Sequence, residues 1–342
     1  MYRYLFVLFC LAGCRPSPTY VARQITLVEQ KTFEINGSVR AMALLDGNIG
    51  FAGSGSLFGF IHVNNQTISV STLRNKGIEV DFRSVGVTST DFMMLSAGNP
   101  ALLFKTGEQA MQEVYREEHP SVFYDSMVFW DNSNGIAVGD TVEGCMSILR
   151  TYDGGRTWIK QNCDKSPHLS DNETLFAASN SNIAITGKGI HIITGGAKSR
   201  LWTSTDKGAS WKNTTLPIVQ GSSTEGAFSI AFYDDNQGIV AGGNYQKPDL
   251  HQQTIATTSD GGKSWQTTDA SVSPGYISCV RYVPNTQGHE LLATSINGIW
   301  FSNDKGNSWK KIADEAYHAL LFVDERMVAA SGENKITLFR IK

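Results

Sequence analysis

One short segment occurs four times in this chain and constrains its fold more than any other feature. The copies read YDGGRTW at 152–158, TDKGASW at 205–211, SDGGKSW at 259–265 and NDKGNSW at 303–309. A segment that recurs every few tens of residues is typical of a repeat array. The Asp can accept hydrogen bonds from its own turn, the Gly can adopt positive φ, and the Trp can pack on a neighbouring strand. We therefore interpret the conspicuous residues as structural, namely Asp153, Trp158, Asp206, Trp211, Asp260, Trp265, Asp304 and Trp309.

The four segments resemble the Asp-box, Ser/Thr-x-Asp-x-Gly-x-x-Trp, also called the bacterial neuraminidase (BNR) repeat. This box is found in the β-propellers of sialidases, sortilin-like receptors and photosystem II stability and assembly factors. In those families it is the hairpin between the third and fourth strands of a blade. The resemblance implies that each copy marks one blade of a propeller.

Composition agrees with an all-β chain. Gly is abundant at 33 residues and Pro is scarce at 9, and β-branched and aromatic residues crowd the segments between turns, which favours strands. No run has the sustained apolar period of a long helix. The formal charge of −3 offers no basic surface for nucleic acid, so we predict no nucleic-acid partner.

The residues around each box predict the number of blades. An apolar strand, a polar turn and a strand of small residues precede the box, most clearly at 227–258, and degenerate versions occur at 82–104 and 39–61. The last unit, 318–341, supplies three strands, and its fourth is predicted to be the N-terminal strand at 25–33. Such pairing would close the ring and remove exposed edges. We predict a seven-bladed β-propeller, with six or eight blades as alternatives.

The N-terminus predicts an exported lipoprotein. A basic residue, a short apolar run and the sequence LAGC at 11–14 resemble a bacterial lipobox. The resemblance implies a signal peptide at 1–13, a lipidated Cys14 with a tether over 14–21, and one propeller domain over 22–342. No Asp follows Cys14, so we expect an outer-membrane anchor facing the periplasm. The alternative is an ordinary signal peptide with an incidental cysteine.

Two further cysteines are predicted to form a disulfide, which an exported protein can keep. Around the first box, strand residues should pair when their numbers add up to about 308, which sets Thr151 opposite Thr157 and Cys145 opposite Cys163. The alternative is two buried thiols that happen to match. Cys279 has apolar neighbours and is interpreted as core.

Alignment of the innermost strands predicts a binding site at one mouth of the central channel. The equivalent positions are Arg40, Arg83, Asp125, Ala177, Phe228, Ile277 and His318. The polar members are the candidate binding residues, and guanidinium groups suit carboxylates or an acidic partner loop. The alternative is an internal ion-pair ring between blades. A slip of one residue in the alignment would reverse which side chains face the channel.

The sequence gives little support for an enzymatic function. A sialidase would carry an arginine triad and a Phe-Arg-Ile-Pro motif near its start, but only 339–342 (FRIK) resembles that motif, and Arg281 is uncertain as a third arginine. The glycine-rich stretch at 53–55 precedes a strand, not the helix that a dinucleotide would need. Relatives are sometimes described as oxidoreductases, yet neither a Cys-x-x-Cys nor a histidine pair at ligand spacing occurs. We predict no cofactor and no metal.

The chain most resembles the photosystem II stability and assembly factor group. The resemblance lies in the spacing of its repeated units, its small size and the sequence FRSV at 82–85. Members act as binding scaffolds through an arginine patch on the propeller face, and Arg83 and Arg40 match it here. The resemblance implies a monomeric, non-enzymatic scaffold that binds an envelope protein or peptide. A carbohydrate-binding or glycoside-hydrolysing propeller is the alternative.

Overall fold

The computed structural model describes residues 20–73, 77–268 and 273–342. These residues form 29 strands and one 3₁₀ turn, Cys163–Lys165, so the all-β prediction is confirmed. The predicted signal peptide and Cys14 lie outside the described residues. Within the described ranges, no helix has the length and apolar character needed to cross a membrane.

The strands are short, apart from the first. In chain order they are β1 (Leu27–Leu45), β2 (Asn48–Gly53), β3 (Leu57–His62), β4 (Thr67–Thr72), β5 (Asp81–Val87), β6 (Phe92–Ala97), β7 (Ala101–Thr106), β8 (Met111–Glu117), β9 (Tyr124–Phe129), β10 (Gly135–Val142), β11 (Cys145–Thr151), β12 (Ile159–Lys160), β13 (Glu173–Thr174), β14 (Ile183–Thr186), β15 (Gly189–Ile193), β16 (Gly195–Gly196), β17 (Arg200–Ser204), β18 (Lys212–Thr215), β19 (Glu225–Phe232), β20 (Gly238–Asn244), β21 (Ile255–Thr258), β22 (Gln266–Thr267), β23 (Cys279–Tyr282), β24 (Leu291–Ser295), β25 (Gly298–Ser302), β26 (Lys310–Ala313), β27 (Ala319–Phe322), β28 (Met327–Ser331) and β29 (Glu333–Ile341).

Strand pairing divides the described residues into groups of four strands that follow the chain. Group 1 is the second half of β1 with β2–β4, group 2 is β5–β8, and group 3 is β9–β12. Group 4 is β14, β15, β17 and β18, group 5 is β19–β22, and group 6 is β23–β26. Group 7 is β27–β29 with the first half of β1, and the short strands β13 and β16 add to the sheet of group 5.

Strand β1 is shared between the first and last groups. Its first half pairs with β29, from Leu27 opposite Ile341 to Ser38 opposite Glu333, and its second half pairs with β2. The sequence predicted two separate strands at 25–33 and 39–44, whereas the structure has one strand of 19 residues. The strand changes partner at a bulge around Gly37, whose φ of 150° favours glycine.

The core lies between neighbouring sheets. One apolar cluster joins Ala41 and Ala52 of group 1 to Phe82 and Phe92 of group 2, and the other clusters join adjacent groups in the same way. Because both faces of the sheets pack on neighbours, strands such as β20 are buried along their whole length. The first strands of the groups contact one another in chain order, and β27 contacts β1.

The four repeated segments join the third and fourth strands of groups 3 to 6. Consecutive strands are antiparallel, so these hairpins lie at the end of the sheets opposite to the end where each first strand begins. We call the end with the repeated segments the hairpin face and the opposite end the mouth face.

Each repeated segment is held by its own aspartate. Asp260 accepts hydrogen bonds from Thr258 Oγ1 (2.8 Å) and from the amide (3.0 Å) and hydroxyl (2.6 Å) of Ser264. Burial would raise the pKa of Asp260, but these donors outweigh it and lower the pKa to about 2. The same contacts recur at Asp153, Asp206 and Asp304.

The tryptophans of the segments pack inward to different degrees. Trp158 and Trp309 are buried, whereas Trp211 and Trp265 are partly exposed. The glycine two residues after the aspartate packs on the preceding group: a Cβ at Gly262, where φ is 85°, would lie 2.7 Å from Leu201 Cδ2. The segments therefore fasten neighbouring sheets together as well as closing hairpins.

The structure joins Cys145 to Cys163, with Cα atoms 5.6 Å apart. The observed strand register differs by one residue from the register that predicted this pair, since Leu149 lies opposite Lys160. Strand β12 ends at Lys160 and so does not reach Cys163. Thr157 donates its amide and hydroxyl to Asp153, so it does not pair with Thr151 as predicted. Cys163 approaches Cys145 from the 3₁₀ turn and not from a strand.

Candidate functional site

A cavity of about 360 Å³ opens on the mouth face, at the start of the first strands. This volume lies in the usual range for ligand sites. The cavity is lined by Arg40, Arg83, Phe176, Ala177, Ala178, Phe228, Tyr245, Tyr276, Ser278, Ile296 and His318. It therefore combines cationic and aromatic side chains.

Two arginines form the cationic side of the cavity. Arg83 Nε donates to Asp81 Oδ2 (2.7 Å), and Arg83 Nη1 donates to the carbonyl of Ala177 (3.4 Å). Arg40 Nη1 donates to the carbonyl of Ala178 (3.3 Å). Burial and the nearby Arg83 charge lower the pKa of Arg40. An anion bound between the two guanidinium groups would relieve this repulsion.

His318 adds a neutral imidazole next to the arginines. It immediately precedes β27, and its side chain is only 17% exposed. Burial, with the charges of Arg40 and Arg83, lowers the pKa of His318 to about 3. The imidazole is therefore uncharged at neutral pH and can donate or accept a hydrogen bond without adding charge.

Aromatic residues form the other side of the cavity. Phe176 and Phe228 stack with ring centroids 3.9 Å apart, and Tyr276 meets Phe228 edge-on at 4.9 Å. The ring centroid of Tyr245 lies 6.4 Å from that of Phe176, and Tyr245 is 44% exposed. The sequence indicated Phe228 alone, because Phe176, Tyr245 and Tyr276 lie outside the first strands, where strand alignment carries no information.

The floor of the cavity is an irregular stretch between β13 and β14, residues 175–182, which we call the central segment. Its Asn180 accepts from the amide of Met127 (2.9 Å) in group 3 and donates to the carbonyl of Val85 (2.8 Å) in group 2. Asn180 has a left-handed backbone with φ of 55°, which asparagine tolerates well.

The central segment also contacts groups on its other side. Ser179 Oγ donates to the carbonyl of Ser278 (2.6 Å) in group 6, and Ser181 Oγ donates to Ser229 Oγ (2.8 Å) in group 5. Together with the contacts from Arg40 and Arg83, the segment is bonded to five other groups. The sequence predicted Ala177 on a first strand, but β14 begins only at Ile183.

The structure brings three of the four polar candidates together at the cavity, namely Arg40, Arg83 and His318. Asp125 differs from the prediction, because its side chain is fully buried and does not line the cavity. Neither carboxylate oxygen accepts a hydrogen bond from a described residue. Burial and the nearby Asp140 charge raise the pKa of Asp125 well above its usual value, and Arg83 opposes the shift. Asp125 is the bulged residue of β9, as Arg40 and Arg83 are of β1 and β5. Its strand position therefore matches theirs, and the difference lies in the burial of its shorter side chain.

Neither a metal centre nor a pair of carboxylates is found at this site. In the part of the chain that the structure describes, no group of three or more His, Cys, Asp or Glu is arranged to hold a metal ion. The residues that line the cavity include no Asp or Glu, although glycoside hydrolysis ordinarily needs two such groups. The site can bind an anionic or aromatic ligand through its arginines and rings.

No protein-family model and no curated protein matches the chain. Solved structures do match it over nearly its whole length. The structure "YCF48 bound to D1 peptide" has 14% identity and a TM-score of 0.64, covering 94% of this chain and 99% of that one. YCF48 from Cyanidioschyzon merolae has 11% identity and a TM-score of 0.65, with the same coverage of 94% and 99%. The WD40 β-propeller domain of Doa1 has 11% identity and a TM-score of 0.60, covering 92% and 96%. At these identities the similarity shows the fold alone: the chain folds as a β-propeller like those of YCF48.

Proposed function

We propose that this chain is a non-enzymatic scaffold of the bacterial envelope, which binds a peptide or protein segment at the mouth of its channel. The observation that carries the proposal is the cavity itself. It combines Arg40 and Arg83 with the rings of Phe176 and Tyr245, and no acidic side chain lines it. A segment with a carboxylate and an apolar group matches both sides.

The proposal includes a closed ring of seven blades, each corresponding to one of the seven groups. Support comes from the pairing of β1 with β29 and from the contact of β27 with β1, which brings the last group against the first. A closed ring leaves no sheet edge open for unwanted pairing. It also sets the first strands around one channel, with the cavity at its mouth.

The proposal also includes a lipid anchor. The lipobox-like LAGC at 11–14 supports cleavage before Cys14 and attachment of lipid to it, followed by a tether and a single monomeric propeller domain over 22–342. The location we propose is the outer membrane, facing the periplasm.

A similar protein supports the choice of ligand class. YCF48 has been solved with a bound D1 peptide, and its structure matches 94% of this chain. Binding of that peptide is a property of YCF48. We carry over only the general idea that a propeller of this shape can hold a peptide.

Site-specific photo-crosslinking in living cells tests the proposal. A photoreactive amino acid replaces Ile296, which lines the cavity and is 49% exposed, and the crosslinked product is followed on gels. Arg40→Gln with Arg83→Gln removes both charges but keeps polar side chains. Charge-assisted hydrogen bonds contribute about 1.5–3 kcal/mol each, so we expect crosslinking to fall at least about tenfold.

A matched control removes two arginines from the hairpin face, Arg156→Gln with Arg326→Gln, and should leave the product unchanged. Melting curves confirm that all variants fold. If the product persists at its original yield without Arg40 and Arg83, the two arginines do not hold the partner and the proposed recognition fails.

A further inference from the structure

The N-terminal stretch of the described chain, residues 20–26, is bound to group 6, and we call it the arm. Arg23 Nε and Nη2 donate to Glu290 Oε1 (2.8 Å) and Oε2 (2.9 Å), which is a two-pronged contact. The hydroxyl of Tyr20 donates to Glu290 Oε1 (3.0 Å). The Tyr20 ring stacks on His289 with centroids 4.1 Å apart.

This contact fixes the arm because Glu290 is buried. Its side chain is only 1% exposed, so without Arg23 its charge would lie in the protein without a compensating cation. Partial burial, and then the hydrogen bond to Glu290, raise the pKa of Tyr20 to about 12. The arm is therefore held by a specific site and not by a general surface charge.

The arm lies on the hairpin face. The carbonyl of Arg23 accepts a hydrogen bond from Asn303 Nδ2 (2.9 Å), and Asn303 begins the fourth repeated segment. The amide of Lys305, in the same segment, donates to the carbonyl of His289 (2.9 Å). Tyr20 therefore lies at the end of the molecule opposite to the cavity.

Cys14 precedes Tyr20 by six residues, which can span at most about 22 Å when fully extended. An anchor at Cys14 would hold the hairpin face close to the bilayer. Resting on the proposed anchor and binding site, we propose that the arm orients the propeller with its hairpin face toward the membrane. The cavity is then presented to partners in the aqueous compartment, and not to segments at the bilayer surface.

Energy transfer to lipid acceptors tests this orientation. The full lipoprotein is labelled with a donor dye at Lys207→Cys on the hairpin face or at Ile296→Cys at the cavity; both positions are exposed. Among described cysteines, the native ones are in the disulfide or buried, which favours labelling at the new site. The protein is reconstituted in phosphatidylethanolamine–phosphatidylglycerol vesicles that contain rhodamine-labelled lipid.

We expect the donor at 207 to lose a larger fraction of its emission than the donor at 296. Arg23→Ala frees the arm from Glu290 and should shrink this difference while the protein stays on the vesicles. An equal or larger loss at 296 would overturn the orientation.

The Cys14→Ser variant separates this inference from the function it rests on. It should stay in solution during vesicle flotation. If it floats like the wild type, the anchor and the orientation both fail, whereas the binding role of the cavity is decided by the crosslinks at 296.

Discussion

At the scale of single residues, the molecule contains a buried carboxyl group that reduces its stability at neutral pH. Asp125 is fully buried, and its oxygens accept no hydrogen bond from any residue in the described ranges. Its raised pKa, caused by burial and then by Asp140, means that folding above about pH 4 requires uptake of a proton. The stability contributed by this group is therefore full at acid pH and is lost as the pH rises.

Replacing Asp125 should make the protein more stable. Asp125→Asn keeps the shape without a titrating proton, and we expect a gain on the order of 1–3 kcal/mol at pH 7. The gain should vanish near pH 4. Urea unfolding at both pH values measures it.

Asp140→Ala is the control. The Asp140 carboxylate accepts a hydrogen bond from the amide of Leu175 (2.8 Å), and alanine removes that acceptor, so we expect no gain in stability at pH 7. An Asp125→Asn protein that is less stable than the wild type at pH 7 contradicts the argument.

The sequence predicted part of the site because some of its residues follow a strand pattern. Arg40, Arg83 and His318 were found by aligning first strands, and the structure brings all three to one cavity. Asp125 came from the same alignment and occupies the same bulge position as Arg40 and Arg83. Its short side chain is nevertheless fully buried, which position along a strand does not predict. Tyr245 and Phe176 lie in stretches without period, so no pattern could reveal them.

At the scale of elements, the repeated segments and the central segment differ in where their partners lie. Asp260 bonds to residues two to four positions away. All partners of this contact therefore lie within one short motif that can be recognised in the sequence. Asn180 bonds to Val85, 95 positions away, and Ser179 to Ser278, 99 positions away. Such contacts depend on how groups distant in the sequence pack together, and they leave no local signal.

The central segment should stabilise the molecule through Asn180. Asn180→Ala removes an acceptor from the Met127 amide and a donor from the Val85 carbonyl, and we expect a loss of roughly 2–4 kcal/mol. Asn172→Ala is the matched control, because Asn172 has a similar φ of 58° but is exposed. Thermal or urea unfolding of the two variants gives the difference. Equal losses of unfolding free energy in both variants would mean that backbone strain, and not the hydrogen bonds of the central segment, determines the destabilisation.

At the scale of the whole molecule, the sharing of β1 between the first and last groups links the two ends of the chain. The sequence predicted this pairing from a missing fourth strand, because the last unit supplied only three. It did not predict that the N-terminal strand continues into group 1 as one strand, since the bulge near Gly37 depends on which partner each residue meets.

Stepwise truncation tests whether the first half of β1 closes the ring. Removal of residues 1–34 takes the partner of β29 and the buried Phe33, which alone contributes about 2 kcal/mol. We expect a lower melting temperature and association through the exposed edge of β29, measured by light scattering. Removal of residues 1–19 should have no such effect. Removal of residues 1–26 shows how much of the change in melting temperature comes from loss of the arm. If the protein lacking residues 1–34 is a monomer and has the same melting temperature as the protein lacking residues 1–19, β1 does not close the ring.

The hydrogen bonds between Thr26 and Lys342, both 3.0 Å, have a practical consequence for attaching reporters. A fluorescent protein fused after Lys342 would emerge on the hairpin face, beside the arm. A reporter inserted in the exposed turn Glu143–Gly144, between β10 and β11, would emerge on the mouth face. Two fusions of one chain would thus place labels at opposite ends of the propeller.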